Sequence, residues 1–184
     1  MATTTRPISL ADLERDGGPD GRWEIIAGEL IEMPPAGGKH GRIWGAIYAH
    51  LWNFVVPNRR GYVYGADTGF VLVVDPLTLR APDVGFIRAE RLPADFDDGG
   101  FLRVAPDIVV EVLSPSDRLA PALSKVAAWL EAGAAVVWLV DPAAETVTVF
   151  GPEASPRGLT IEQTLDGGDI LPGFTFPVRD IFAR

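Results

Sequence analysis

Two short apolar runs dominate the hydrophobic pattern, D-I-V-V-E-V-L at 107–113 and A-V-V-W-L-V at 135–140. Both are rich in β-branched residues and too short for a helix, so each reads as a strand covered on both faces. Between them, at about 118–132, lies a helical segment. Strand, helix and strand in this order predict a crossover between parallel neighbours. Upstream, Ile43, Trp44, Ile47, Leu51, Phe54 and Val55 recur at spacings of one, three and four, which predicts an amphipathic helix from about His40 to Val56, ended by Pro57. Short alternating runs predict strands at 61–66, 69–74, 83–87 and 147–150, with a strand return or turn at 75–80.

The ends are simpler. Ser9 is placed to cap a short helix through Arg15, and 23–33 reads as two strands reversing at Ala27-Gly28. Residues 90–100 read as a solvated loop, and the tail holds a further strand near 159–164 before a closing L-P-G-F-T-F-P-V-R-D-I-F segment. No linker or repeat interrupts the pattern. One domain over 1–184 is expected, with its core at about 20–182 and residues 1–20 as an arm.

One residue breaks the pattern. Glu111 sits inside a core strand, where an unpaired carboxylate costs several kcal/mol or about that scale. A basic partner or a metal ion has to answer it. Alternation puts Asp107, Val109, Glu111 and Leu113 on one face of the strand and Ile108, Val110 and Val112 on the other. Asp83 opens an earlier strand, directly after Pro82. Adjacent strands lie roughly 4.8 Å apart, so if the two pair, both carboxylates reach one ion. Mg²⁺ suits them, since it takes oxygen ligands and commonly uses one or two carboxylates together with substrate phosphate oxygens. Read singly, Asp83 is also an ordinary strand-start residue, and Glu111 also fits a structural pair with an arginine.

Composition narrows the classes. The 184 residues are 47% apolar and 22% charged, as a globular chain is. With 16 basic and 25 acidic residues, the net charge of -9 argues against a broad basic surface for nucleic acid. The absence of cysteine excludes disulfides, thiolate metal sites and a thiol nucleophile. No apolar run approaches the length of a bilayer span, and the N-terminus lacks the apolar core of a signal peptide. A cytoplasmic protein without membrane contact is expected.

The blocks W-E-I-I-A-G-E-L-I-E-M-P-P, A-P-D-V-G-F-I, A-P-D-I-V-V-E-V-L-S-P-S-D, K-x-x-x-W-L-E-A-G and V-V-W-L-V-D-P together resemble the Uma-two family of restriction-endonuclease-like proteins, within the PD-(D/E)xK nuclease superfamily. The resemblance runs over residues 20–182. It implies an α/β restriction-endonuclease-like fold: a mixed β-sheet flanked by helices, with an αβββαβ core, an N-terminal hairpin and extra C-terminal strands. It also implies a Mg²⁺-dependent endonuclease acting on DNA, with Mn²⁺ as a substitute ion and a homodimer as the expected assembly. Asp83 matches the superfamily's first aspartate and Glu111 the acid of the second half-motif. Where the superfamily places a lysine, this chain has Leu113. In related members that lysine moves to the following helix, which makes Lys125 the counterpart. Glu24 resembles the extra metal-site glutamate of superfamily relatives, and the Val112 carbonyl is a further candidate ligand.

Each of these has a plainer reading. Lys125 lies about 150° round the helix from the stripe Leu123–Val126–Leu130, at 100° per residue, although it neighbours Ala122 and Trp129. A solvated lysine is the alternative. Glu24 and Glu29 both read as exposed hairpin charges. His40 could position a phosphate or a water, or simply begin a helix, and His50 packs or faces solvent. Ser116 or Asp117 is expected to cap the 118–132 helix. Lys39, Arg42, Arg59, Arg60 and Arg118 are candidates for gripping a DNA backbone. Trp44, Trp52, Tyr62 and Tyr64 read as core, or as a two-fold interface. A rival function is a nuclease-fold protein that no longer cuts and serves as a binding or assembly module, favoured by the net charge and by Leu113. Glycoside hydrolysis by two carboxylates has little support, because few aromatics lie near the acids.

Overall fold

The computed structural model describes residues 7–151 and 155–183, so the first six residues of the arm lie outside it. Ser9 caps helix α1 (Leu10–Asp16) through a reciprocal capping box with Asp12. Strands β1 (Arg22–Ile26) and β2 (Glu29–Met33) form an antiparallel hairpin with Ile26 opposite Glu29. Its two loop residues, Ala27 and Gly28, both have positive φ (50° and 82°), the geometry that suits a tight hairpin to strand twist.

Helix α2 (Gly38–Val55) buries His40, Ile43, Ile47, Leu51 and Val55 along one face. It begins at Gly38 rather than His40 and ends ahead of Pro57. Strands β3 (Gly61–Gly65), β4 (Phe70–Val73), β5 (Thr78–Arg80) and β6 (Val84–Arg88) follow. Next come β7 (Ile108–Val112), α3 (Leu119–Glu131), β8 (Val136–Asp141), β9 (Thr146–Phe150) and β10 (Arg157–Leu159). Strands β11 (Thr164–Asp166) and β12 (Thr175–Pro177) lead into α4 (Val178–Phe182).

The main sheet has six strands in the order β10-β9-β8-β7-β6-β3. Only β7 and β8 run parallel, with Ile108 opposite Val136 and Val112 opposite Val140, joined through α3 as the apolar runs predict. The other pairings are antiparallel. Ile108, Val110 and Val112 turn to one face, where α2 and α4 bury Ile43, Ile47, Leu51, Val178 and Ile181. Val109 turns to the other, packing with Val126 and Trp129 of α3. This is the mixed, helix-flanked sheet that the family resemblance implies.

The 61–87 strands do not all join it. The chain leaves the main sheet after β3, and β4 and β5 build a second sheet with the hairpin, ordered β2-β1-β5-β4. That sheet has its own apolar seal of Leu10, Leu13, Ile25, Val71, Leu77 and Leu79. The tail also departs from expectation. A turn closed by Gln163 N–H on the Thr160 carbonyl interrupts 159–164, so Leu159 ends β10 on the main sheet while Thr164 begins a separate β11–β12 pair.

Candidate active site

The two larger sheets meet around a cleft of about 670 Å³ lined by Glu24, His40, Asp83, Glu111 and Lys125. Each comes from a different segment. Glu24 lies on β1, His40 on α2, Asp83 ahead of β6, Glu111 on β7 and Lys125 on α3. Antiparallel register, with Val84 opposite Val110, carries Asp83 beside Glu111.

Asp83 Oδ2 accepts from the Val112 backbone N–H at 2.8 Å and stands 3.3 Å from His40 Nε2. Contact with Asp83 is the chief reason the His40 imidazole holds its proton above its ordinary pKa; burial opposes this, and the Val112 carbonyl adds to it. His40 Nδ1 is buried with no hydrogen-bond partner among the described residues.

Glu111 is answered on both oxygens. The Trp129 indole N–H donates to Oε1 at 2.6 Å, and Lys125 Nζ lies 3.0 Å from Oε2. Lys125 Nζ also lies 2.9 Å from Glu24 Oε1. Glu24 in turn accepts from Arg80 Nη1 at 2.7 Å and from the Ala81 N–H at 3.3 Å. Burial pushes the Glu111 carboxyl up to about 7; Lys125 pulls it down, while Asp83 and Glu24 add to the rise. Burial acts to lower the Lys125 pKa, but Glu111 and Glu24 together outweigh it and raise it. The ammonium is therefore fixed in its charged form.

Several residues sit otherwise than the sequence suggests. Glu24 is not an exposed hairpin charge: it is 4% exposed, because Arg80 of β5 and Lys125 converge on it, whereas Glu29 does face solvent. On α3 the buried residues are Val126 and Trp129, and Leu123 is 39% exposed. Burial of Val126 and Trp129 sets this face of the helix against the sheet, the Trp129 N–H finds its acceptor in Glu111, and Lys125 points into the cleft instead of solvent. Neither Ser116 nor Asp117 caps α3. Its N-cap is Arg118 without a side-chain bond, and Asp117 instead accepts from the Ser114 N–H at 2.7 Å.

The candidate grip residues are scattered. Lys39 donates to the Pro142 carbonyl and Arg42 to the Ala183 carbonyl. Arg59 and Arg60 follow the far end of α2, more than about 20 Å along its axis from His40. Only Arg118 of the five lines the cleft. His50 bonds the Thr175 carbonyl at 2.8 Å and stacks on Phe176. Trp52 and Tyr62 are exposed, not core. Asp107 is a structural acid, gripped by Arg88 at 2.9 Å and Arg91 at 3.3 Å. Arg80 and the Trp129 acceptor bond went unread in the sequence. The signal for Arg80 is its place just before A-P-D, which delivers it to the same strand end as Asp83.

The donors suit a hard divalent cation. Two carboxylates from neighbouring strands and a nearby backbone carbonyl offer oxygen only, and Mg²⁺ needs no more from a protein when substrate and water complete its shell. Among the described residues no group of three or more His, Cys, Asp or Glu side chains is arranged as a dedicated metal cage. The chemistry fits a shared ion, not an enclosed one.

Comparison with known proteins agrees with this architecture. A family model described as "Uma2: Putative restriction endonuclease" matches residues 10–179. A solved structure described as "a putative nuclease belonging to DUF820 from Anabaena variabilis" superposes with a TM-score of 0.82 at 21% identity, covering 96% of this chain and 98% of that one. No curated protein matches the chain.

Proposed function

The chain belongs to the Uma2 family, and from that premise we propose that it is a Mg²⁺-dependent endonuclease hydrolysing phosphodiester bonds in DNA. The observation that carries this reading is the Lys125 ammonium bridging Glu24 and Glu111 in the cleft that Asp83 also lines. An acid pair with an adjacent fixed cation is what in-line displacement at a phosphate requires.

Asp83 and Glu111, with the Val112 carbonyl, would hold the ion. When bound, it supplies Lewis-acid polarisation of the scissile phosphoryl group and makes water acidic enough to attack near neutral pH. The protein's own groups do the rest. Lys125 supplies a permanent positive charge beside the charge that develops on the phosphoryl oxygens, standing in for the lysine absent at Leu113. Its raised pKa makes it an electrostatic group and not a proton acceptor. Glu24 holds the same ammonium, and Arg80 neutralises the remaining Glu24 oxygen. His40 fixes the Asp83 carboxylate from α2.

One observation favours a second reading, a binding or assembly module that does not cut. Both Glu111 oxygens already have protein partners, so an ion must compete with Lys125 for one of them. Titration with Mn²⁺ by calorimetry, alongside incubation with plasmid DNA in Mg²⁺ or Mn²⁺, separates the two. Ion binding and cleavage support the nuclease. A protein with neither is the module.

A further inference from the structure

The cleft is poorly equipped to hold a duplex. Of the four cationic side chains lining it, Arg22 is held by Asp67 at 2.7 Å, Arg80 by Glu24, and Lys125 by Glu24 and Glu111. Arg118 alone has no ion-pair partner among the described residues. Duplex tracking relies on neutralising many phosphates, and nothing in the lining provides for that.

The walls offer something else. Ile26, Ile31 and Met33 project from the hairpin at 36%, 40% and 36% exposure and line the cleft. Large apolar side chains left in solvent around a polar centre mark a ligand surface. A volume of about 670 Å³ lies in the range of pockets that enclose a small molecule. One or two nucleotides fit such a space, and an unpaired base has an apolar face to lay against its wall.

Resting on the nuclease reading above, we propose that the cleft takes single-stranded DNA, recognised by an unpaired base against the Ile26–Ile31–Met33 wall with only one or two phosphates contacted. The hydrolysed phosphodiester would then be the one next to the seated base. Binding depends on burying that base far more than on counter-ion release.

The test uses the full chain in Ca²⁺, to hold turnover off, and three fluorescein-labelled probes followed by anisotropy. These are an oligothymidylate, the same strand annealed to its complement, and the same strand with its central bases removed. The single strand should bind about 10-fold tighter than the duplex, and base removal should lose about 10-fold. The slope of log affinity against log salt should be about -1, as one or two phosphates on a single strand give. Changing Ile31→Ser together with Met33→Ser should weaken single-strand binding about 10-fold at unchanged melting temperature, since both side chains already face solvent. Equal or tighter duplex binding, indifference to base removal, or a slope steeper than about -3 overturns the inference. If the duplex is preferred yet cleaved in Mn²⁺ in an Asp83-dependent way, this substrate assignment fails and the nuclease stands. With no cleavage and no Mn²⁺ binding, the nuclease reading fails and takes this inference with it.

Discussion

Lys125 Nζ stands 3.0 Å from Glu111 Oε2, one group on a helix and the other in the middle of the sheet beneath it. The contact answers the question Glu111 poses in the sequence, because a carboxylate in a core strand has its countercharge supplied from the crossover that follows. Glu24 shares the same ammonium, with Arg80 holding its other oxygen.

Lys125→Met should therefore destabilise the protein by about 3 kcal/mol, the lower end of the cost of breaking a buried pair, since the lysine side chain is 20% exposed. Adding Glu111→Gln should recover more than half of that loss, because the uncompensated charge is then gone. Urea unfolding of the single and double variants measures both. A single variant as stable as the parent would show that the ammonium carries no structural burden.

Asp83→Asn and Glu111→Gln should lower DNA cleavage by at least about 100-fold, the scale of losing one group that stabilises transition-state charge. Both changes keep a side-chain oxygen to accept from the Val112 N–H and the Trp129 indole. Far-ultraviolet dichroism should stay native. Cleavage that survives either change removes the acid pair from the mechanism.

Asp107→Asn separates a structural acid from the catalytic candidates. Asp107 is 1% exposed and paired with Arg88 and Arg91, so the change should cost about 2–3 kcal/mol in unfolding free energy. Calorimetric Mn²⁺ affinity should be unaltered. A loss of ion binding would mean that the two acid clusters are one site.

Tyr64 gives an alkaline signature. Burial above all, with the Asp98 charge adding, raises its hydroxyl to about 12. An unfolded tyrosine titrates near about 10, so between these values the unfolded chain has released a proton that the folded chain retains. Stability must fall as pH rises through that window. Tyr64→Phe should flatten the fall, read as urea midpoints at roughly pH 9, 10 and 11. Parallel curves for the two proteins would refute the assignment.

The parts of the fold that rest on strictly periodic burial were readable from the chain. Ile43, Ile47, Leu51 and Val55 mark α2, and the 107–113 and 135–140 runs mark the parallel pair. The second sheet was not, because β4 and β5 are amphipathic strands that would suit either sheet, and only packing on Ile25 and Leu13 decides. At the site, Asp83 and Glu111 stand out in the sequence because they interrupt apolar context. Glu24 does not, since its burial depends on Arg80 and Lys125 arriving from elsewhere. Lys125 was obscured by the Leu123–Val126–Leu130 stripe, of which Leu123 faces solvent at 39%. The rotation follows the buried pair Val126 and Trp129, whose packing the single-chain pattern does not separate from Leu123.

Because the cluster draws on the hairpin, α2, the lead-in to β6, β7 and α3, its members belong to two different sheets and both faces of one of them. An excised 83–125 segment would hold Asp83, Glu111 and Lys125 but neither Glu24 nor His40. The assembled cluster is thus a property of the finished chain, complete only once both sheets and both flanking helices are in place.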